Sequence, residues 1–204
     1  MKCTIHQPQF LPWLGYMAKI NSADIFVFLD DVQFKKNEFQ NRNKILVGGE
    51  AKWITVPVGF SFGDTIKQVR IDPNAHWQKK MCHAIEYNYR RAPYYERYAQ
   101  ELFGLLQQPW TNLAVVNQAS VEWLLRCFDI RTDLRVSSEL PPVSGERTMR
   151  LVDICRQVGA QTYISGAGGR EYLDVAAFEG AGIEVEFQDF AHPVYPQRCC
   201  APGP

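Results

Sequence analysis

The 204-residue chain has no net charge and no long apolar run, and both absences exclude classes of protein. Its 22 basic residues are balanced by 22 acidic ones, so it lacks the positive field on which phosphate-driven nucleic-acid binding depends. No apolar stretch approaches the roughly 20 residues of a membrane-spanning helix. With 46% hydrophobic residues, the composition also excludes intrinsic disorder and predicts a folded domain with a core.

Metal-binding and export signals are also missing. None of the six cysteines stands in a C-x-x-C pair, so we expect no structural zinc site. His76 and His83 are about 10 Å apart on a predicted helix, too far to share a metal ion without other ligands. The first residues contain no apolar signal-peptide stretch, which predicts a cytoplasmic protein with reduced thiols.

The neutral total hides an asymmetry between the two halves of the chain. Residues 1–102 carry 14 basic and 10 acidic side chains, whereas residues 103–204 carry 8 and 12. This difference indicates either an anion site lined by the first half or a drift of surface charge without function.

The order of apolar segments predicts an α/β fold with a mainly parallel, Rossmann-like sheet. A strand over 2–6, a helix over 11–20 and the apolar run over 23–29 make a βαβ unit with a right-handed crossover. Helix and strand alternate again from about residue 149 to residue 187, with strands at 161–165 and 183–187. These segments predict that the strands of one sheet come from both ends of the chain.

The middle of the chain has a different character. Short strands around Gly48-Gly49 predict a β-hairpin or meander over residues 43–71, inserted into the sheet. Asp72-Pro73 is typical of a helix start, and residues 73–128 are predicted to form a helical segment of about three helices. We expect a single α/β domain over residues 1–197 and an unstructured tail over residues 198–204.

Ligands of open α/β sheets bind at the carboxyl ends of the strands, so the polar residues that follow each strand are candidates. The first strand is followed by His6, Gln7 and Gln9. His6 can act as a general base or a phosphate partner near neutral pH, with the adjacent helix start as an anion site. The alternative is a histidine that only caps the strand through a backbone hydrogen bond.

Asp30 and Asp31 follow the second strand. Their side chains should diverge if strand geometry continues through both residues. One carboxylate is then available for a divalent ion or an amine, and the other for capping the loop. Two carboxylates that only cap the loop and face solvent are the alternative.

The segment that follows is dense in amides and cations. Such a loop can clamp phosphates and bind sugar or base edges through paired donors and acceptors. A solvated surface loop explains the composition as well. The candidate binding residues are Gln33, Lys36, Asn41, Arg42 and Asn43.

A glycine-rich turn leads from the predicted strand at 161–165 into a helix. Its backbone is able to form an anion-binding concavity, and a plain tight turn is the alternative. The turn is neither a P-loop nor a dinucleotide fingerprint, because Glu171 stands where a third glycine is needed. The candidates in this turn and at other segment ends are Ser165, Gly166, Gly168, Gly169, Thr148 and His192.

Several stretches resemble the WbqC-like proteins of bacterial surface-polysaccharide gene clusters. The resemblance extends over about residues 1–197. The stretches that carry it are HQPQFLPWLGYMAKI from His6, LDDVQFKK from Leu29, QNRNKI from Gln40, TMRLVDIC from Thr148, SGAGG from Ser165 and HPVYPQ from His192.

This resemblance implies an aminoacyl transferase that adds glycine to a nucleotide-linked amino sugar during O-antigen synthesis. In that reaction His6 or Asp31 is the base that deprotonates the sugar amine. Phosphates are held by Arg42, Lys36 and the 165–169 turn, and Arg150 joins the binding residues. The implied ligands are a nucleotide or nucleotide sugar with Mg²⁺ and an activated amino acid. An aminoacyl-tRNA donor and a homodimer stay open.

Two other functions stay open. The opening strand–His6–helix–strand order looks like that of the H-x-G-H nucleotidylyltransferases, although Pro8 and Gln9 replace the glycine and second histidine. A non-catalytic sugar-nucleotide binder or assembly protein is the third function. Most of the five tryptophans are expected in the core rather than in a binding surface.

Overall fold

A computed structural model describes residues 1–143 and 147–197, so the tail predicted over residues 198–204 lies outside the described residues. The chain folds into two compact units. Unit 1 consists of residues 1–8, 13–32 and 125–191, and unit 2 of residues 9–12, 33–124 and 192–204. The single domain over residues 1–197 stays a prediction.

Strands and α-helices alternate towards both ends of the described chain, and a run of four strands followed by three α-helices lies between them. The strands are β1 (Lys2–His6), β2 (Ile25–Phe28), β3 (Arg42–Val47), β4 (Glu50–Thr55), β5 (Val58–Gly59), β6 (Arg70–Ile71), β7 (Asp133–Val136), β8 (Thr162–Ser165) and β9 (Glu184–Phe187). The helices are α1 (Leu14–Asn21), α2 (Trp77–Tyr89), α3 (Tyr95–Leu106), α4 (Leu113–Cys127), α5 (Thr148–Gln157) and α6 (Val175–Glu179).

Unit 1 is built on a five-stranded sheet in the order β7-β2-β1-β8-β9, and every neighbouring pair is parallel. The chain runs outward from β1 to β2 and β7, and then returns to the other side of β1 for β8 and β9. This doubly wound order confirms the predicted α/β fold with a mainly parallel, Rossmann-like sheet. The strand order reverses between β1 and β8, the point at which such sheets bind their ligands.

The core of unit 1 lies between this sheet and its helices. All four residues of β2 and all four of β8 are buried, as expected for strands covered on both faces. On α6, Phe178 is fully buried and its ring stacks on that of Tyr163, with centroids 4.9 Å apart. The strands whose carboxyl ends carry the candidate residues are therefore anchored in a packed core.

The β-insertion belongs to unit 2. Strands β3 and β4 form a hairpin in register from Arg42 opposite Thr55 to Val47 opposite Glu50. Gly48 and Gly49 both have positive φ angles, as a two-residue turn of type I′ requires. The prediction that these strands insert into the main sheet is wrong, because they form separate two-stranded antiparallel sheets. Five of the six β4 residues are exposed, unlike the strands of a covered parallel sheet.

Some element boundaries also differ from the prediction. Helix α1 begins at Leu14 rather than Leu11, because Leu11 has a φ of 45° and the following Trp13 is extended. Helix α2 begins at Trp77 rather than Pro73. The Asp72 carboxylate accepts the backbone N–H of Asn74 in a local turn, and the left-handed His76 separates that turn from the helix.

Candidate functional site

His6 ends β1 beside the point where the strand order of unit 1 reverses. Its Nδ1 lies 3.0 Å from the carbonyl oxygen of Gln7. Tyr16, on α1, donates its hydroxyl to the same carbonyl at 3.1 Å, and its ring meets the imidazole edge-on at 4.8 Å. Helix α1 therefore carries the side chains of Tyr16 and Lys19 to the end of β1, near His6.

These contacts determine the form of the imidazole. A carbonyl oxygen only accepts hydrogen bonds, so the Nδ1 atom of His6 carries the proton and Nε2 is the acceptor. Burial, together with the positive charge of Lys19, lowers the pKa of His6 from 6.5 to about 3. The imidazole is therefore neutral at any ordinary working pH, and it offers a fixed acceptor atom at the strand end.

Lys19 was not among the predicted site residues. It is only 3% exposed, and its Nζ donates to the carbonyl oxygen of Ile5 at 3.3 Å. In the described part of the chain it makes no ion pair with a carboxylate. Burial lowers its pKa from 10.5 to about 7. The sequence signal was a lysine within the apolar face of α1, between the buried Met17 and Ile20.

The exits of β2 and β7 form a second group, the carboxylate cluster, which consists of Asp30, Asp31, Ser137, Ser138 and Arg150. Asp30 is 3% exposed. Its Oδ1 accepts the backbone N–H of Ser138 at 3.1 Å, and its Oδ2 accepts the Ser138 hydroxyl at 2.8 Å. Asp31 accepts the Ser137 hydroxyl at 2.6 Å and makes an ion pair with Arg150.

Asp30 and Asp31 do not diverge as they would in a strand, because β2 ends at Phe28. Both carboxylates lie within hydrogen-bond distance of the Ser137 hydroxyl, at 3.1 and 2.6 Å. Of the two predicted bases, Asp31 is held by Arg150, whereas His6 keeps an acceptor atom. A role as a base stays a prediction for both His6 and Asp31.

The carboxylate cluster does not fit the expected Mg²⁺. A magnesium ion takes one or two open carboxylates. The Asp30 oxygens already accept donors from Ser138, and Asp31 faces the fixed positive charge of Arg150. No group of three or more His, Cys, Asp or Glu residues able to hold a metal ion occurs within residues 1–143 and 147–197.

The glycine-rich turn follows β8 as a short 3-10 turn over Ala167–Glu171. Ser165 is buried and donates its hydroxyl to the carbonyl oxygen of Gly166 at 3.2 Å. Thr148 begins α5, and its hydroxyl accepts the backbone N–H of Asp174 at 3.3 Å. Binding of phosphate by Ser165, Gly166, Gly168, Gly169 or Thr148 stays a prediction.

Gly169 is required by close packing in this turn. A Cβ on Gly169 would lie 2.0 Å from Ser165 Oγ, whereas a Cβ on Gly168 would meet nothing within 4 Å. We expect Gly169→Ala to lower the free energy of unfolding by about 1–3 kcal/mol. The added methyl group would displace the Ser165 side chain, whose hydroxyl would lose its hydrogen bond to Gly166. Gly168→Ala is the matched control, expected to change it by less than about 1 kcal/mol. Urea denaturation measures both, and equal losses would contradict the packing argument.

The remaining predicted residues belong to unit 2. Asn41 is buried and donates to the carbonyl oxygen of Val56 at 3.1 Å, and Asn43 donates to that of Leu11. The Arg42 guanidinium lies over the Trp53 ring, 4.0 Å from its centroid. The bonds of Asn41 and Asn43 therefore hold backbone segments of unit 2 together, and Arg42 packs on the surface of the β3–β4 hairpin. A binding role stays a prediction for Gln9, Gln33, Lys36, Asn41, Arg42, Asn43 and His192, as it does for Gln7 and Arg150 of unit 1.

The tryptophans divide between core and surface. Trp77 and Trp123 are buried, but Trp53 is exposed and Trp13 is 47% exposed. The Trp13 ring covers Gly15, where an added Cβ would lie 2.0 Å from an indole carbon. An aromatic side chain at the start of α1 is thus presented to solvent, a feature the sequence did not indicate.

The comparisons with known proteins agree with the sequence motifs. No helix within the described residues is long and apolar enough to cross a membrane. No solved structure matches the chain. Rv1507c, an uncharacterized protein of Mycobacterium tuberculosis, is 33% identical over 192 residues, which cover 93% of this chain and 82% of that protein. Residues 7–201 match the WbqC-like protein family. The chain therefore belongs to the WbqC-like protein family.

Proposed function

We propose that the protein is an acyltransferase that joins an aminoacyl group, glycyl in the first instance, to the amine of a nucleotide-linked amino sugar. The observation that carries the proposal is the neutral imidazole of His6, with Nδ1 held by Gln7 and Nε2 left as an acceptor. Such an acceptor at the end of β1 suits proton removal from an amine as it attacks a carbonyl carbon.

In the transfer step, His6 carries the proton from the attacking amine to the leaving group. The sugar amine attacks the carbonyl carbon of an activated aminoacyl ester, and a C–N bond forms as the C–O bond to the leaving group breaks. The proton lost by the amine passes to Nε2 of His6 and from there to the departing oxygen. With its pKa lowered to about 3, His6 is a weak base in the free protein, so it takes the proton only as the C–N bond forms and the amine becomes acidic. It then gives the proton up readily to the departing oxygen.

Within unit 1, the turn from Gly166 to Gly169 is the candidate for holding the phosphates of the nucleotide sugar. It directly follows β8, the strand beside β1. The first backbone N–H groups of a helical turn have no partner within the turn and bind anions without needing a charged side chain. This assignment supports the same reaction, because it places the anionic substrate at the strand ends with His6.

The direct test is product formation by the purified chain. The protein is incubated with a UDP-linked amino sugar and glycyl adenylate, and the products are analysed by mass spectrometry. We expect an adduct heavier than the amino sugar by one glycyl group. Its absence, together with an absence of binding of either substrate, would overturn the proposal.

His6→Gln is expected to lower the rate at least about 100-fold, because general-base catalysis contributes on the order of 10²–10⁴. His83→Gln, on an exposed position of α2, is the matched control and should keep the wild-type rate. Initial rates of adduct formation measure both variants. A His6→Gln enzyme as fast as the control would remove His6 from the reaction.

Nucleotidylyl transfer receives less support. In that reaction an imidazole stabilises phosphate charge best when it is protonated, whereas the pKa of His6 is lowered to about 3. The position of a second histidine is occupied by Gln9. Release of pyrophosphate from ATP or CTP, lost in His6→Ala, would reverse this preference. A non-catalytic binder would bind the nucleotide sugar without forming product.

A further inference from the structure

Unit 2 contains a cleft of about 700 Å³ that the proposed acyl transfer does not use. Its walls are the β3–β4 turn at Gly48 and Gly49, the residues Tyr87–Pro93 at the end of α2, and the segment Tyr195–Gln197. This volume lies within the roughly 300–1,000 Å³ of small-molecule sites in proteins. The cleft is therefore large enough for a ligand of about the size of a nucleotide.

Three tyrosines supply aromatic surface to the cleft. Tyr89 is fixed by its hydroxyl, which accepts the backbone N–H of Leu46 at 2.8 Å. Tyr87 is 78% exposed and Tyr195 is also exposed, so their rings are accessible to a ligand. Exposed aromatic rings of this kind stack on planar bases and pack against sugar rings.

The charge of the cleft is of one sign. Arg90 and Arg91 are exposed and line it, and no aspartate or glutamate is among its lining residues. In the described part of the chain neither arginine makes an ion pair. Arg90 is the C-cap of α2, where the negative end of the helix dipole stabilises a positive charge. Arg91 lies beyond the helix, so the helix dipole does not explain its position. Guanidinium groups such as those of these two consecutive arginines are well suited to phosphate oxygens.

We propose that this cleft binds a nucleoside diphosphate, with a ring of the ligand on Tyr87 and Tyr195 and its phosphates on Arg90 and Arg91. The Asn88 side chain accepts the N–H of Gly48 at 3.3 Å and so joins two of the walls, α2 and the β3–β4 turn. The site consists of residues of unit 2 and does not depend on the chemistry of His6 in unit 1.

The test is isothermal titration calorimetry of the full chain with UDP, uridine and inorganic pyrophosphate. We expect UDP to bind at least tenfold more tightly than either fragment, because only UDP engages both tyrosines and arginines. Pyrophosphate as tight as UDP would overturn the role of the tyrosines. A single-stranded RNA trinucleotide that bound more tightly than UDP would overturn the free nucleotide as the ligand.

Variants place the binding in the cleft. The double variant R90A/R91A is expected to weaken UDP binding at least tenfold, and Tyr87→Ala at least threefold. R97A/R126A removes the same charge from two exposed arginines outside the cleft and should leave the affinity unchanged. Gly168→Asp adds a negative charge to the turn that the proposed reaction uses for phosphates, at a position with open space, and should keep UDP binding in the cleft, which separates this site from the proposed reaction. Unchanged affinity in R90A/R91A would overturn the proposal.

Discussion

Replacing Asp30 by alanine is expected to lower the free energy of unfolding by about 3 kcal/mol. The carboxylate is almost fully buried and accepts both the backbone N–H and the hydroxyl of Ser138. Hydrogen bonds to a charged acceptor contribute about 1.5–3 kcal/mol each, and part of this is offset by the cost of burying the carboxylate. Chemical denaturation of the purified chain measures the loss.

Two further variants show whether the bonds or the general loss of charge cause the effect. Asp30→Asn keeps an oxygen that can accept the Ser138 N–H, so about half of the loss should be recovered. Asp189→Ala removes an exposed carboxylate of unit 1 and should change stability by less than about 0.5 kcal/mol. If Asp30→Ala were as stable as Asp189→Ala, the cluster would not hold the exits of β2 and β7 together.

Lys19→Met is expected to stabilise the protein most at low pH. The buried lysine has a pKa of about 7, against 10.5 when it is exposed in the unfolded chain. Between these values the unfolded state binds more protons, so the free energy of unfolding rises with pH. Stability is therefore lost as the pH falls from 10.5 to 7, and below 7 the full cost of the buried charge is present. Methionine fills similar space and has no charge to desolvate.

The measured quantity is the free energy of unfolding of wild type and Lys19→Met at several pH values from 6 to 9. The wild-type value should rise by about 2–3 kcal/mol relative to the variant over this range. Deprotonation of other groups, such as Cys155, whose pKa is raised by its hydrogen bond with Cys3 and by burial, affects both proteins and cancels in the comparison. Lys80→Met, on exposed α2 surface, should track wild type. A difference in the free energy of unfolding between wild type and Lys19→Met that stayed constant from pH 6 to 9 would contradict a buried positive charge on Lys19.

The same substitution has a consequence for His6. The positive charge of Lys19 is one of the causes that lower the pKa of His6, the other being burial. Removing that charge should raise the pKa of His6 while burial keeps it below 6.5. Histidine resonances in an NMR titration report this shift, which loss of packing alone would not produce.

Strong local patterns predicted much of the parallel sheet. The run Ile25–Phe28 is apolar throughout, and a strand with this composition is buried on both faces wherever it lies. Strand β7 was not predicted. It is an edge strand in which Asp133 and Arg135 alternate with Leu134 and Val136, too short and too polar to be distinguished from a loop.

The candidate site was only partly accessible from the sequence. His6 was predicted because it stands at a strand end, which is a local property. The ion pair of Asp31 with Arg150 joins residues 119 positions apart, and no local pattern indicates it. Lys19 was not predicted because a lysine in a short helix normally places its charge in solvent. Here its ammonium group lies against a backbone carbonyl instead.

The long separation between β2 and β7 has a consequence for the order of folding. Asp30 and Ser137 meet across 107 positions of chain, and β7, β8 and β9 all follow the helices of unit 2 in the sequence. On the ribosome, residues 33–124 therefore emerge before the sheet of unit 1 can close. Until then β1 and β2 have unpaired edges and uncovered apolar faces, the state in which a nascent chain aggregates most readily. Chaperone binding to the first thirty residues would protect the protein during this interval.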